Sequence, residues 1–154
     1  MTEAQPQSGH LADGVHKLAL RVYWEDTDAA GIVYYANYLK FVERGRSDML
    51  RLSGVDQWQM KQDEGVNFVV RRCEVDYLQP ARLDDALEIE TYVEVARGAS
   101  LDMRQTVRRD GDDLVVALVR LACVDAAGRP VRLPADIKSA LHTPISVAKK
   151  EAHV

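Results

Sequence analysis

Residues 21–51 read RVYWEDTDAAGIVYYANYLKFVERGRSDMLR, and three patterns follow one another within them. The first is the end of an alternating run. Over residues 17–24, Leu18, Leu20, Val22 and Trp24 fall on one face, which predicts a strand. The second is Glu25-Asp26-Thr27-Asp28-Ala29-Ala30-Gly31, a small, acidic, turn-rich loop. The third has helical period. After the lead-in at residues 32–35, Tyr38, Phe41 or Val42, Gly45, Met49 and Leu52 recur at three- and four-residue spacing, which predicts a helix over 37–52. Arg44, Arg46, Asp48 and Arg51 fall mostly on its other sides. Gly45 lies on the apolar face at a cost of about 1 kcal/mol against Ala, so it reads as a point of close backbone approach. Ser53-Gly54 ends the helix.

Downstream, the period changes. Residues 56–64 read as one short helix, capped by Asp56 and stopped by Gly65. Strands are predicted over 66–77 (closed by Pro80), 86–96, 100–109 and 114–124, with a further short one at 130–133. In 86–96, Leu87, Ile89, Thr91, Val93 and Val95 face one way and Glu88, Glu90 and Glu94 the other, as on a sheet with one wet face. Asp110-Gly111 is a hairpin signal. The run LVVALV at 114–119 is apolar on both faces, as in a central strand. A strand, a long helix and then consecutive strands joined by short turns make an α+β chain with an antiparallel sheet of five to six strands around one helix. One helix covers only part of such a sheet, so a homodimer or larger twofold assembly is expected.

The chain has 154 residues, 47% hydrophobic and 29% charged, with a formal net charge of −4. That suits a single soluble domain and disfavours a duplex nucleic-acid binder, which shows a basic excess. Two cysteines, Cys73 and Cys123, do not make a disulfide framework, so a cytoplasmic home is expected. No run of residues is long and apolar enough for a membrane-spanning helix. Residues 1–16 read as a disordered leader and 142–154 as a tail. The four histidines are His10, His16, His142 and His153, so none lies between Lys17 and Leu141. A core without histidine counts against Ser-His-Asp and Cys-His hydrolases and His-ligated metal sites. An enzyme built this way works with carboxylates, backbone amides and water.

Such groups meet in residues 24–38. Carboxylates at the end of a strand precede the start of a helix, where unpaired N–H groups carry partial positive charge. A carbonyl docked there is polarised, and one such donor is worth roughly 10²–10³ in rate. A carboxylate beside it can attack that carbonyl or deprotonate a water. The alternative is that Asp26 and Asp28 only shape a turn and cap the helix. Tyr34, Tyr35 and Tyr38 crowd the same stretch, as a pocket wall would.

The motif E-D-T-D-x-x-G-x-V-Y, the rest of residues 21–51, and the stretches NFVVRR (67–72) and YLQPARLDD (77–85) resemble the hotdog-fold acyl-CoA thioesterases of the YbgC type, associated with the Tol–Pal system, and their 4-hydroxybenzoyl-CoA thioesterase-like relatives. The resemblance covers roughly residues 18–135. It implies a hotdog domain at 17–141, two subunits paired into a continuous sheet, and active sites at the dimer interface. It also implies acyl-CoA as substrate, no cofactor and no metal. Asp28 corresponds to the catalytic carboxylate, and the Tyr35 backbone amide to the donor that polarises the thioester carbonyl. Many of the family carry Tyr where Trp24 stands and His where Tyr35 stands; at Tyr35 this chain is closer to the hydroxybenzoyl-CoA branch.

The expected substrate-binding set is Trp24, Gly31, Tyr34, Tyr38, Arg71 and Arg82, the arginines as candidates for the phosphates of coenzyme A along with Arg72. Glu43 reads as a structural ion pair with Arg46 or Arg71, Asp26 as a supporting acceptor, and the cysteines as small hydrophobes. The function expected is hydrolysis of an acyl-CoA to free acid and coenzyme A by a homodimer or homotetramer. The alternatives are an aromatic acyl-CoA substrate such as 4-hydroxybenzoyl-CoA, or a hotdog scaffold that binds acyl carrier protein or envelope-assembly partners.

Overall fold

A computed structural model describes residues 3–141. The strands are β1 (His10–Ala12), β2 (Val15–Arg21), β3 (Asn67–Tyr77), β4 (Ala86–Ala96), β5 (Ser100–Arg109) and β6 (Asp112–Val124), and the helices are α1 (Tyr38–Leu52), α2 (Gln57–Glu64) and α3 (Ala135–Ala140). The strands form one antiparallel sheet in the order β1-β2-β4-β5-β6-β3. Helix α1 lies against β4, β5 and β2. This is the α+β hotdog arrangement, a sheet curved around one long helix.

Helix α1 begins one residue after the predicted start and ends where predicted. Its buried face is Tyr38, Phe41, Val42, Gly45, Asp48, Met49 and Leu50, and burying each large apolar side chain contributes roughly 1.5–3 kcal/mol. Gly45 is the point of close approach: a Cβ there would lie 2.8 Å from Ile89 Cγ2 and 3.1 Å from Thr91 Oγ1. Beside it, Gln105 Nε2 donates to Val42 O (2.6 Å) and Thr91 Oγ1 (2.8 Å), so a polar core side chain ties helix to sheet. Leu52 is exposed, and Leu50 with Val55 closes that end of the face instead. Helix α2 has the predicted cap, Asp56 Oδ1 accepting from Gln59 N at 3.0 Å, and Gly65 stops it in the left-handed region. Asp110 and Gly111 both have positive φ, the primed-turn geometry their sequence predicts.

Several expectations are corrected. Residues 10–16, expected within a disordered leader, form β1 and the start of β2. Because β2 starts at Val15, the core does contain a histidine. His16 is fully buried, and its Nε2 lies 2.6 Å from Oδ2 of Asp48, a residue expected on the polar side of α1. Ser8 Oγ and Gly9 N also donate to Asp48, at 2.9 and 2.7 Å, laying the N-terminal segment across the pair. Strand β2 ends at Arg21, so Trp24 is not on its buried face but opens a 3₁₀ turn, 78% exposed. The wet face of β4 is dry at Glu90, which is buried and pairs with Arg108 at 2.6 Å. A register shift between Val93 and Val95 breaks the alternation and turns Val95 outward. Residues 130–133 make one bridge, Val124 to Pro130, rather than a strand, because Pro130 has no N–H for a ladder. The sixth strand is β1.

Candidate active site

The loop between β2 and α1 is built by its own polar groups. Asp26 Oδ2 accepts from Tyr23 N at 2.7 Å and Thr27 Oγ1 donates to Trp24 O at 2.8 Å, closing the 3₁₀ turn Trp24–Asp26. The Asp26 carbonyl accepts from Tyr34 N (3.0 Å) and Asn37 Nδ2 (2.9 Å), which pins the approach to α1. Asp26 is thus a supporting acceptor, as expected. Beyond it the chain folds into a small hairpin. Asp28 N donates to Ile32 O at 2.9 Å, Gly31 N donates to Asp28 O at 3.0 Å, and Gly31 sits at φ 78. Only a residue tolerant of the left-handed region closes this turn without strain.

Asp28 therefore stands at the edge of a tight, well-bonded bend. One carboxylate oxygen, Oδ1, accepts from Ala30 N at 2.8 Å; Oδ2 has no protein partner among the described residues. The side chain is exposed. It lines a cleft of about 410 Å³ with Trp24, Gly31 and Leu83. Neither Asp26 nor Asp28 caps α1. The N-cap is Asn37, with no side-chain cap bond.

The second cleft lies at the start of the helix. Val33 N donates to Ala81 O at 2.9 Å, and Ile32 bridges Arg82, so residues 32–33 are stitched to the segment after β3. Tyr34 leads into the 3₁₀ turn Tyr35–Asn37, which runs directly into α1 and carries no side-chain cap. Tyr35, Tyr38, Tyr77, Ile32, Val33 and Pro80 line a cleft of about 320 Å³. The rings interlock: Tyr34 and Tyr35 centroids are 5.0 Å apart, Tyr35 and Tyr77 5.9 Å, Tyr38 and Tyr77 5.8 Å. Such edge-to-face and tilted contacts are favourable for aromatic pairs. The Tyr38 hydroxyl accepts from Ala81 N at 2.9 Å, and burial pushes its pKa up.

The structure groups the expected residues unevenly. Trp24, Asp28 and Gly31 share one cleft and Tyr35 and Tyr38 the other, while Tyr34 lines neither and packs its exposed ring on Tyr35. Arg82 contributes its backbone to the bridge with Ile32, and its N–H donates to Asp85 Oδ2 at 2.8 Å. Arg71 is exposed at the bulge of β3 and lines neither cleft. Arg72 pairs with Glu74. Glu43 accepts from Ser47 Oγ at 2.8 Å rather than pairing with Arg46 or Arg71. Cys123 is buried and Cys73 exposed, and burial pushes both thiols up, which disfavours the thiolate a nucleophile needs. The sequence reading missed Tyr77 and Leu83 as lining residues. The available signal was their stretch, a tyrosine at a strand end just before Pro80. Among the described residues no His, Cys, Asp and Glu cluster has the makings of a metal site, and no helix is long and apolar enough to cross a membrane. His142 and His153 lie outside the described residues.

A family model described as the thioesterase-like superfamily matches residues 22–141. The acyl-CoA thioesterase YbgC of Haemophilus influenzae is 39% identical over 133 residues, covering 86% of this chain and 98% of that protein. The acyl-CoA thioester hydrolase YbgC of Escherichia coli O157:H7 is 46% identical over 120 residues, covering 77% and 89%. Among solved structures, a probable thioesterase from Bartonella henselae superposes with a TM-score of 0.75 at 40% identity, covering 78% of this chain and 99% of that one. A 4-hydroxybenzoyl-CoA thioesterase complexed with 4-hydroxybenzoyl-CoA shares the fold at a TM-score of 0.79 and 23% identity, covering 84% and 99%.

Proposed function

Since this chain belongs to the thioesterase-like superfamily and is an acyl-CoA thioester hydrolase, we propose that Asp28 is its catalytic carboxylate and the Tyr35 backbone N–H its oxyanion donor. The observation that carries the assignment is the bend itself. Ala30 N and Gly31 hold Asp28 in place while one carboxylate oxygen stays open to a cleft. The uncapped turn at Tyr35 offers amide dipoles where negative charge develops on the thioester oxygen. In one route Asp28 attacks the carbonyl carbon, the C–S bond breaks, coenzyme A leaves as thiolate and takes a proton, and water hydrolyses the mixed anhydride. In the other, Asp28 takes a proton from the water that attacks the carbonyl carbon, the C–S bond breaks, and coenzyme A leaves as thiolate and takes up that proton. Trp24, Gly31, Tyr34 and Tyr38 shape the surroundings of the acyl group, and Arg71 and Arg82 are exposed cations for the phosphates of coenzyme A.

Asp28 and Tyr35 line neighbouring clefts of one protomer, and β3 is an edge strand of 11 residues that exposes Val69 and Val70. A long edge strand with its backbone groups open invites a second copy. We therefore assign a homodimer, or a homotetramer made of two such dimers, in which the sheet continues across β3. The two cysteines support a cytoplasmic location; a link to the Tol–Pal system or to acyl carrier protein rests on the family resemblance.

Single-turnover hydrolysis in heavy-oxygen water tests the chemistry. Label entering Asp28 marks the nucleophilic route, and label only in the product acid marks the general-base route. Unchanged turnover after Asp28→Asn removes the assignment altogether.

A further inference from the structure

Tyr77 is the last residue of β3, and the chain turns away from the sheet directly after it. Leu78 N and Gln79 N both donate to Leu114 O, at 2.8 and 3.1 Å, which fixes where the strand ends. The Tyr77 ring therefore stands against the rings of both Tyr35 and Tyr38, with interplanar angles of 83° and 59°. Its two neighbours differ from it. Tyr38 is buried and its hydroxyl is bonded to Ala81 N. Tyr35 carries the amide assigned to the oxyanion. Ile32 and Val33 are held by backbone bonds to the segment after β3. Tyr77 is 46% exposed, and its hydroxyl has no hydrogen-bond partner among the described residues. Within one protomer this ring is held by packing against Tyr35 and Tyr38, and burial pushes its pKa up so that it stays a neutral phenol.

We infer that Tyr77 is the specificity-determining residue that limits the length of the acyl chain this enzyme accepts. The inference rests on the reading that the thioester carbonyl sits at the Tyr35 amide. An acyl chain leaving that amide into the cleft runs between fixed walls and meets the Tyr77 ring. Removing the ring adds apolar space continuous with the cleft. Each methylene that gains burial there is worth roughly fourfold in kcat/KM.

The test compares butanoyl-, hexanoyl-, octanoyl- and decanoyl-CoA as substrates of the full-length wild type, Tyr77→Ala, Tyr77→Phe and Asp28→Asn. The expected result is that the octanoyl-to-butanoyl ratio of kcat/KM rises at least ~10-fold in Tyr77→Ala, as two or more newly buried methylenes require. In Tyr77→Phe, which keeps the ring, that ratio stays within about twofold of the wild type's. A loss shared equally by all chain lengths in Tyr77→Ala, or a ratio shift as large in Tyr77→Phe, overturns the proposal. If Tyr77→Ala lacks the native circular dichroism spectrum, Tyr77→Leu carries the same test with the same outcomes. The Asp28→Asn arm separates the two assignments. Turnover retained there with a shifted ratio at Tyr77 removes the catalytic reading and keeps this one; no turnover there with an unshifted ratio does the reverse.

Discussion

Asp28 and Asp48 are both carboxylates within the same 31-residue stretch, and the fold treats them oppositely. Asp28 is exposed, with one oxygen bonded to a backbone amide and the other open. Asp48 is 4% exposed and receives Ser8 Oγ, Gly9 N and His16 Nε2 within 2.9 Å. Burial pushes the Asp48 carboxyl up, but the bonds from Gly9, His16 and Ser8 together outweigh it and hold its pKa below the ordinary range. A carboxylate with all its bonds satisfied organises structure, whereas one with a free oxygen is available for chemistry.

Substitutions that exchange the two roles would break this comparison. Asp28→Asn is expected to lower kcat/KM by roughly 10²–10⁴-fold while leaving the chemical denaturation midpoint where it is. A midpoint that falls with the activity would make Asp28 structural. Asp48→Ala leaves His16, Gly9 and Ser8 without their acceptor and is expected to cost about 3–5 kcal/mol of stability. Activity per folded molecule should survive, as urea unfolding beside steady-state kinetics would show. The depressed pKa of Asp48 also gives a sign. Its contribution is complete above the unfolded carboxylate value of about 3.9 and is lost as pH falls through the lower folded value. The acid limb of a stability–pH profile should therefore be shallower in Asp48→Asn than in the wild type; parallel limbs would remove the linkage. Arg51 approaches Asp48 only at 3.4 Å and is 70% exposed at the side chain. Arg51→Ala should change stability by no more than about 0.5 kcal/mol, so a larger shift in its denaturation midpoint would show that the surface cation, and not the buried donors, holds Asp48.

Periodicity and turn signals located α1, β4 and β5 almost residue for residue, because each buries alternating or helically spaced side chains between turns that mark its ends. It failed where a partner distant in sequence decides burial. Glu90 reads as a wet-face residue until Arg108 neutralises it, and Asp48 reads as surface until His16 and residues 8–9 fold over it. Trp24 continues the alternation of β2 on paper, but Asp26 closes a turn onto Tyr23 N and ends the pattern. In the candidate site, the bend from Asp26 to Gly31 and the tyrosines were legible from local sequence. Tyr77 was legible only as a tyrosine at a strand end; its place in the cleft comes from the return of β3 to the start of α1.

The sequence by itself determined the class of chain, the long helix with its glycine contact, and the acidic bend that carries Asp28. Those features depend on local period, turn chemistry and residue type. Only the tertiary structure decided that a histidine does enter the core, at position 16, and that Asp28 and Tyr35 open onto different clefts of one protomer. The reason is physical: burial and pairing depend on which residues meet across the sheet and helix, and those meetings join positions well separated in the chain, 32 residues for His16 and Asp48, that no local pattern records.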